Sequence, residues 1–233
     1  MAEPIRVVIL DDHQSIVDGY CYRLSNVPEI QIAGTLAYGA SVEPFLADNP
    51  ADVLLLDVNV PTAADNPNPY PILHLIRRLL ELYPDLAILV ISMHNQRTLI
   101  QAVLEAGASG YIVKDDRDSI RQLASVIISI ANGGVFFSQQ AHQQLVRRQI
   151  DPGEANQLLT PRQLEVLSLC SAYPGSTTAE LARQLGVENS TVRNLLSSAY
   201  VRLNVNNRAA ALAKARQAGL ILPLMIAPPT DLL

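Results

Sequence analysis

The stretch VLLLDVNVP, residues 53–61, sets four apolar residues directly before the carboxylate of Asp57. A short run that is apolar throughout is typical of a strand buried on both faces of a parallel sheet, and Pro61 cannot continue such a strand. Burying a carboxylate without a partner is strongly destabilising. We therefore expect Asp57 to lie where the core opens to solvent, or beside a cation.

Further strand-length apolar runs occur over residues 5–10, 30–35, 86–92 and 110–114. The stretches between these runs space their apolar residues as helices do, for example at Ile16, Tyr20 and Leu24. Strands that alternate with helices predict a doubly wound α/β domain. Its five-stranded parallel sheet is expected to be covered by helices on both faces.

Polar side chains stand at the ends of these predicted strands. Asp11 and Asp12 follow the first strand, and Asp57 ends the third. Ser92 ends the fourth strand and Lys114 ends the fifth. In a doubly wound sheet, ligands bind outside the carboxyl ends of the strands. The five side chains are therefore expected to meet at one crevice.

Converging carboxylates repel one another unless a cation lies among them, and hard oxygen ligands suit Mg²⁺. A carboxylate beside such a metal can attack phosphorus and form an acyl phosphate. Lys114 and Ser92 can then contact the phosphoryl oxygens. Each feature alone is ordinary, since paired acids after a strand are common in solvated loops. Their order at successive strand ends favours phosphoryl chemistry.

Composition indicates a globular protein, since 49% of the 233 residues are hydrophobic and 17% are charged. No stretch reaches the roughly 18 consecutive apolar residues of a membrane span, and the N-terminal residues do not resemble a signal peptide. Cys21 and Cys170 lack metal-ligand spacing. We expect a cytoplasmic protein with no membrane attachment and two ordinary thiols.

Charge is distributed unevenly along the chain. Residues 1–150 hold 10 basic and 16 acidic side chains, a net charge of −6, whereas residues 157–222 hold 7 basic and 3 acidic ones, a net charge of +4. This asymmetry indicates two domains and is compatible with a polyanionic partner for the second, although mildly basic surfaces are common.

From Ser138 to about Leu158 the sequence turns polar, and it contains the turn Asp151-Pro152-Gly153. We therefore predict a first domain over residues 1–132, a linker over 133–157, a second domain over 158–222 and a tail over 223–233.

The second domain has helical patterning throughout. Thr160 and Pro161 are expected to open one helix, with Gln163 at capping-box spacing. Thr177 or Thr178 can cap a second helix that ends at Gly186, and a third begins near Asn189 or Ser190. A helix, a tight glycine turn and another helix form the outline of a helix-turn-helix.

ILDDH, LLLDVNVP, VISMHN and GASGYIVKD together resemble the receiver domain of two-component response regulators over residues 5–130. The resemblance implies a flavodoxin-like fold in which a sensor histidine kinase phosphorylates Asp57. It also implies that Asp11, Asp12, Asp57 and the backbone carbonyl of Asn59 hold Mg²⁺. Ser92 and Tyr111 would be the switch residues, and Lys114 would pair with the phosphate.

LTPRQLEVL, TAELARQLGV, STVRNLLSSAYVRLNV and NRAAALAKA resemble the LuxR-type helix-turn-helix of the NarL/FixJ class. The resemblance implies that the third helix enters the major groove of double-stranded DNA and that a fourth, over about 206–218, forms a homodimer. The residues expected to face DNA are Asn189, Ser190, Thr191, Arg193, Asn194, Leu195 and Arg202. For Arg193 and Arg202 the ordinary alternative is solvated surface, and for Val192, Leu196 and Leu203 it is core packing.

This chain departs from the family pattern after Asp57, where NVPTAADNPNPYP carries four prolines and about seven extra residues. We expect a stiff segment beside the phosphorylation site. The recognition region has fewer basic residues than is usual for the family, which predicts few phosphate contacts.

The leading interpretation is a transcription factor controlled by phosphorylation of Asp57. One alternative is a receiver-type transcription factor that works without phosphorylation. Another is an aspartyl-phosphate phosphatase, because Asp57-Val58-Asn59-Val60 weakly resembles the nucleophile loop of haloacid-dehalogenase-like enzymes. That motif lacks its second acid here and follows the wrong strand, so we expect no enzyme.

Overall fold

The computed structural model describes residues 3–146 and 159–221. The strands are β1 (Ile5–Leu10), β2 (Ile30–Leu36), β3 (Val53–Leu56), β4 (Pro61–Ala63), β5 (Asn66–Pro69), β6 (Ala87–Ser92), β7 (Gly110–Val113) and β8 (Phe136–Phe137). The helices are α1 (Gln14–Leu24), α2 (Val42–Asp48), α3 (Ile72–Leu82), α4 (Arg97–Glu105), α5 (Arg117–Arg121), α6 (Leu123–Ala131), α7 (Gln139–Val146), α8 (Pro161–Ala172), α9 (Thr178–Leu185), α10 (Asn189–Arg202) and α11 (Arg208–Gln217). Within these ranges, no helix has the length and apolar character needed to cross a membrane.

The main sheet is parallel and has the strand order β2-β1-β3-β6-β7-β8. Successive side chains of a strand point to opposite faces, so Val8 and Leu54 join one apolar cluster, whereas Val7 and Val53 join another. Helices cover both faces, as the apolar runs predict. The central run over 53–56 is completely buried, and the carboxylate of Asp57 follows it directly.

The predicted count of five strands is wrong, because β8 adds a sixth to the edge of the sheet. Phe136 and Phe137 pair in parallel with Gly110 and Tyr111 of β7. Ser138 then accepts a hydrogen bond at its Oγ from the backbone N–H of Val113, at 3.1 Å. Two residues are too few to give a periodic signal in a sequence, and this strand was therefore missed.

The range predicted as a linker, 133–157, includes β8 and α7, whose Ala141 and Leu145 are buried. Residues 147–158 and the predicted tail over 223–233 lie outside the described residues. The domain boundaries stay a prediction.

The proline-rich segment after Asp57 forms an antiparallel hairpin of β4 and β5, where we expected a stiff loop. The hairpin stands apart from the main sheet, and each of its two strands is an edge strand, where proline is tolerated. The hydroxyl of Thr62 donates to the carbonyl of Asn68 at 2.8 Å, and Tyr70 N–H donates to the carbonyl of Val60 at 2.9 Å. The hairpin thus closes on itself within a few residues of Asp57.

The helical second domain begins as the capping residues predict. Thr160 forms a capping box with Gln163 at the start of α8, and Thr177 forms one with Glu180 at the start of α9. Gly186 ends α9 in the left-handed conformation, with φ of 64°. A residue with a Cβ adopts that conformation only at a cost, so glycine fits this turn.

The Tyr70 ring lies directly over Gly39 in the loop after β2, so that a β-carbon added there would collide with the ring. We expect Gly39→Ala to lower the free energy of unfolding by about 1–3 kcal/mol, as overpacking does. Gly19→Ala is the matched control, because it adds a methyl to the interior of α1 with nothing within 4 Å and so raises helix propensity. Urea denaturation of the two variants checks this contact, and equal stabilities would contradict it.

Candidate functional site

Four side chains that can bind a metal converge at the carboxyl ends of β1 and β3. Ligand atoms of Asp11, Asp12, His13 and Asp57 all lie within 4.8 Å of one another. Asp11 and Asp57 are buried, at 4% and 5% exposure, while Asp12 and His13 reach solvent. The predicted crevice therefore has one buried and one open side.

Lys114 supplies the cation that the buried strand end requires. Its Nζ donates to Asp11 Oδ2 at 2.7 Å and to Asp57 Oδ2 at 2.6 Å. Burial acts to lower the pKa of Lys114, but the bonds to the two carboxylates prevail, and the pKa lies above its ordinary value. The ammonium is therefore fully charged at neutral pH and neutralises part of the carboxylate charge.

Ser92 and Tyr111 lie beside this cluster, and both contact the backbone of His94. Ser92 is fully buried, and its Oγ accepts from the N–H of His94 at 3.2 Å. The hydroxyl of Tyr111, also fully buried, donates to the carbonyl of His94 at 2.7 Å. Burial raises the pKa of Tyr111 to about 12, so the phenol stays protonated. Any movement of residue 94 therefore affects both side chains.

The structure thus brings together Asp11, Asp12, Asp57, Ser92 and Lys114, as the strand ends predict. Asn59 follows, and its N–H donates to Asp57 Oδ1 at 3.3 Å. Sequence reasoning missed His13, whose Nδ1 lies 2.9 Å from Asp12 Oδ1. The signal was available, because His13 directly follows the paired acids.

Three oxygen donors, from Asp11, Asp12 and Asp57, are the chemistry that Mg²⁺ prefers. The exposed side of the cluster leaves room for the water molecules that Mg²⁺ keeps. The donor set therefore fits the predicted cofactor.

The second candidate site is the recognition helix, α10, and it lies against the first domain. Arg193 is only 3% exposed. Its guanidinium donates to the carbonyl of Leu86 at 2.8 Å and to that of Gly107 at 3.5 Å. The side-chain amide of Asn189 donates to the carbonyl of Pro84. The alternative that Arg193 is solvated surface is therefore wrong for this arrangement, and its role in DNA binding stays a prediction.

Burial lowers the pKa of Arg193 to about 10, yet the group keeps its charge at neutral pH. The remaining candidates along the helix are at least partly accessible, namely Ser190, Thr191, Asn194, Leu195 and Arg202. Val192, Leu196 and Leu203 are buried, which confirms their predicted role in the core. Two of the seven predicted DNA-facing residues are thus bound by the first domain.

A second contact joins the domains at the start of α11. The guanidinium of Arg208 donates to the carbonyl of Gly133 at 2.6 Å and to that of Ser176 at 2.8 Å. The N–H of Phe137 donates to the carbonyl of Asn206 at 3.4 Å. The helix predicted over 206–218 spans Arg208–Gln217. Both α10 and the start of α11 therefore contact the first domain.

Comparison with known proteins agrees with this geometry. Residues 7–125 match the family model of the response regulator receiver domain, and residues 157–215 match that of the bacterial regulatory proteins of the luxR family. Transcriptional regulatory protein DegU of Brevibacillus brevis is 27% identical over 92% of this chain and 94% of its own length. Response regulator UvrY of Escherichia coli K12 is 24% identical, over 87% and 89%.

Solved structures of similar fold include the RcsB response regulator of Salmonella typhimurium, with a TM-score of 0.55 and 23% identity over 93% of this chain and 100% of that one. A structure of two RcsB dimers bound to two parallel DNAs matches with a TM-score of 0.54 and 23% identity, over 92% and 98%. These likenesses support the fold described above. The chain belongs to the DNA-binding response regulators, and it joins a receiver domain to a LuxR-type helix-turn-helix domain.

Arg193 holds α10 against the receiver through two hydrogen bonds, in which its charged guanidinium donates to backbone carbonyls. A hydrogen bond to a charged group contributes about 1.5–3 kcal/mol to stability. The contribution is smaller here, because the guanidinium is desolvated. We expect Arg193→Ala to raise the population with separated domains about tenfold and to increase the radius of gyration in small-angle X-ray scattering.

Arg183→Ala is the matched control for this measurement, because the side chain of Arg183 is exposed on α9 and forms no hydrogen bond with the described residues. We expect its radius of gyration to equal that of the wild type. An unchanged radius in Arg193→Ala would show that this side chain does not hold the domains together.

Proposed function

We propose that a sensor histidine kinase phosphorylates Asp57, and that this phosphorylation releases α10 from the receiver so that it can bind DNA. The observation that carries the proposal is the state of Arg193. A residue predicted to face DNA is buried on the receiver of the same chain, and that receiver carries a complete set of acid, lysine and hydroxyl residues. A closed DNA-binding surface needs a signal that opens it.

Asp57 is the proposed phospho-acceptor. One carboxylate oxygen of Asp57 attacks the phosphorus held by the kinase's phosphohistidine, the bond from phosphorus to the histidine nitrogen breaks, and an acyl phosphate forms. Asp11, Asp12, Asp57 and the Asn59 carbonyl would hold Mg²⁺, whose charge offsets that of the phosphoryl oxygens. Lys114 already donates to Asp57 at 2.6 Å, so it needs little movement to donate to a phosphoryl oxygen.

Ser92 and Tyr111 are the proposed switch residues. A phosphoryl oxygen offers the Ser92 hydroxyl an acceptor, and this hydroxyl now accepts from the His94 N–H. The Tyr111 hydroxyl donates to the carbonyl of the same residue. Drawing Ser92 toward the phosphate therefore changes the backbone position of residue 94 and, with it, the hydrogen bond of Tyr111.

Two strands join these switch residues to the contacts of Arg193. Ser92 is the last residue of β6, and Leu86, whose carbonyl binds Arg193, directly precedes that strand. Tyr111 lies in β7, which follows the Gly107 carbonyl by three residues. Strands in the centre of a sheet are rigid, so a displacement at one end of a strand also moves its other end. Phosphorylation would then favour a pre-existing open population.

The open form is proposed to bind DNA as a homodimer, with the two copies of α10 in successive major grooves, about one helical turn apart. The RcsB dimers on DNA support this assembly as a precedent of the same fold. A regulator of this kind works in the cytoplasm, where its DNA and its kinase's catalytic domain are found.

Asp57→Asn removes the nucleophilic oxygen and should abolish phosphorylation. With Mg²⁺ and acetyl phosphate, we expect intact-mass spectrometry to detect one added phosphoryl group on the wild type and none on Asp57→Asn. Asp65→Asn is the matched control, because Asp65 lies exposed in the nearby hairpin turn and should leave labelling unchanged. Labelling of Asp57→Asn at the wild-type level would place the phospho-acceptor elsewhere.

DNA affinity separates this proposal from a phosphorylation-independent regulator. We expect beryllofluoride, which mimics the phosphoryl group, to tighten binding of the wild type to its operator about tenfold and to leave Asp57→Asn unchanged. A wild type that binds equally well with and without beryllofluoride would favour the alternative.

Arg193 is expected to have opposite effects in the two states. Arg193→Ala removes a contact with the receiver. The DNA affinities of the phosphorylated and the unphosphorylated variant should therefore differ less than those of the wild type. It also removes a DNA contact, and a bidentate arginine contact to a base is worth about 1–3 kcal/mol. Fluorescence anisotropy with operator DNA should therefore find the phosphorylated variant about tenfold weaker than the phosphorylated wild type. Full wild-type affinity in that state would exclude Arg193 from the DNA contacts.

A further inference from the structure

A cleft of about 580 Å³ lies next to the phosphorylation site, between α3 and α4. Tyr70 and Pro71, at the end of the proline-rich segment, form one wall, and Leu99 of α4 forms part of the opposite wall. Two exposed residues near the central site also line the cleft: Asn59, two residues after Asp57, and His94, two residues after Ser92. The unusual segment of this chain thus shapes a cavity directly beside its central site.

The cleft combines an apolar lining with basic side chains. Its apolar residues include Ile72, Leu73, Leu99 and Val103, and its basic residues are His74, Arg77 and His94. No carboxylate side chain is among the described residues that line it. The electrostatic environment of the walls therefore favours an anion.

Arg77 is available for such an anion. Its side chain is exposed and forms no ion pair or hydrogen bond with the described residues. The next residue, Arg78, is already paired, since its Nε lies 2.7 Å from Glu43 Oε2. Of two successive arginines on α3, one is bound to an acid on α2 and the other faces the cleft.

We propose that this cleft binds a small organic anion, with its apolar body against Leu73, Leu99 and Val103 and its acidic group on Arg77. A volume of about 580 Å³ lies within the range of small-molecule sites. Guanidinium binds carboxylate, sulfonate or phosphate through charge-assisted hydrogen bonds. His74 and His94 line the same cleft and can supply further hydrogen-bond donors.

A ligand in this cleft would also affect the receiver, and this part rests on the proposed function of Asp57. Asn59 donates its N–H to Asp57 at 3.3 Å, and the carbonyl of His94 accepts from Tyr111 at 2.7 Å. A molecule held against Asn59 and His94 limits the movement of both. Its presence would therefore change the rate at which phosphoryl groups are gained or lost, and a second chemical signal would reach the same switch.

The binding test uses the full-length unphosphorylated protein, so its outcome does not depend on phosphorylation. Anilinonaphthalene sulfonate is the anionic probe, and N-phenylnaphthylamine is the neutral probe with a similar aromatic body. We expect the anionic probe to bind saturably with a stoichiometry of one and more tightly than the neutral probe. Arg77→Gln should weaken the anionic probe about tenfold, as expected for loss of a charged hydrogen bond, and leave the neutral probe unchanged.

Arg78→Gln is the matched control and should bind both probes as the wild type does. Absence of saturable binding, equal affinity of the two probes for the wild type, or equal loss in the two arginine variants would overturn the proposal. A separate measurement follows acetyl phosphate labelling of Asp57 with and without the anionic probe. If the probe binds but the labelling rate stays constant, the site stands and its link to the phosphorylation switch is refuted.

Discussion

The ammonium of Lys114, held between Asp11 and Asp57, is the interaction on which the rest of the site depends. Strand β3 ends in a carboxylate that is only 5% exposed, and a second buried carboxylate lies beside it. Without a cation, the two charges would destabilise the strand ends that carry them. Lys114 at 2.7 and 2.6 Å removes that conflict. The carboxylates of the same cluster are ligands that suit a metal ion, and the ammonium is a donor that suits a phosphoryl group.

The same sheet connects this site to α10 through its backbone. Arg193 donates to two backbone carbonyls of the receiver, those of Leu86 and Gly107, and the carboxylate of Asp85 favours its charged form. Carbonyls at strand and helix ends move only when those elements move, so the contact responds to the position of β6 and of the turn after α4. Arg208 makes a comparable contact with the carbonyl of Gly133. The interface between the domains is thus sensitive to receiver conformation, which is the property a switch requires.

Much of the receiver site could be predicted from the sequence, because strand ends in a parallel sheet converge and each candidate ends or follows an apolar run. The sixth strand could not be predicted, since two residues carry no period. The hairpin at Pro61–Pro69 was missed because prolines argue against strands, although the edge strands of a two-stranded ribbon tolerate them. The burial of Arg193 was also out of reach. Its partners are backbone carbonyls, which every residue has, and so no residue type marks the contact.

The central claim is that α10 is held on the receiver and is released when the receiver is activated. Hydrogen–deuterium exchange of the full chain, with and without Mg²⁺ and beryllofluoride, tests it most directly. We expect faster exchange on activation in two peptides of the wild type, one covering residues 84–87 and one covering the start of α10. Neither peptide should change in Asp57→Asn. Exchange that stays the same in the wild type, or that rises equally in Asp57→Asn, would show that phosphorylation of Asp57 does not release α10.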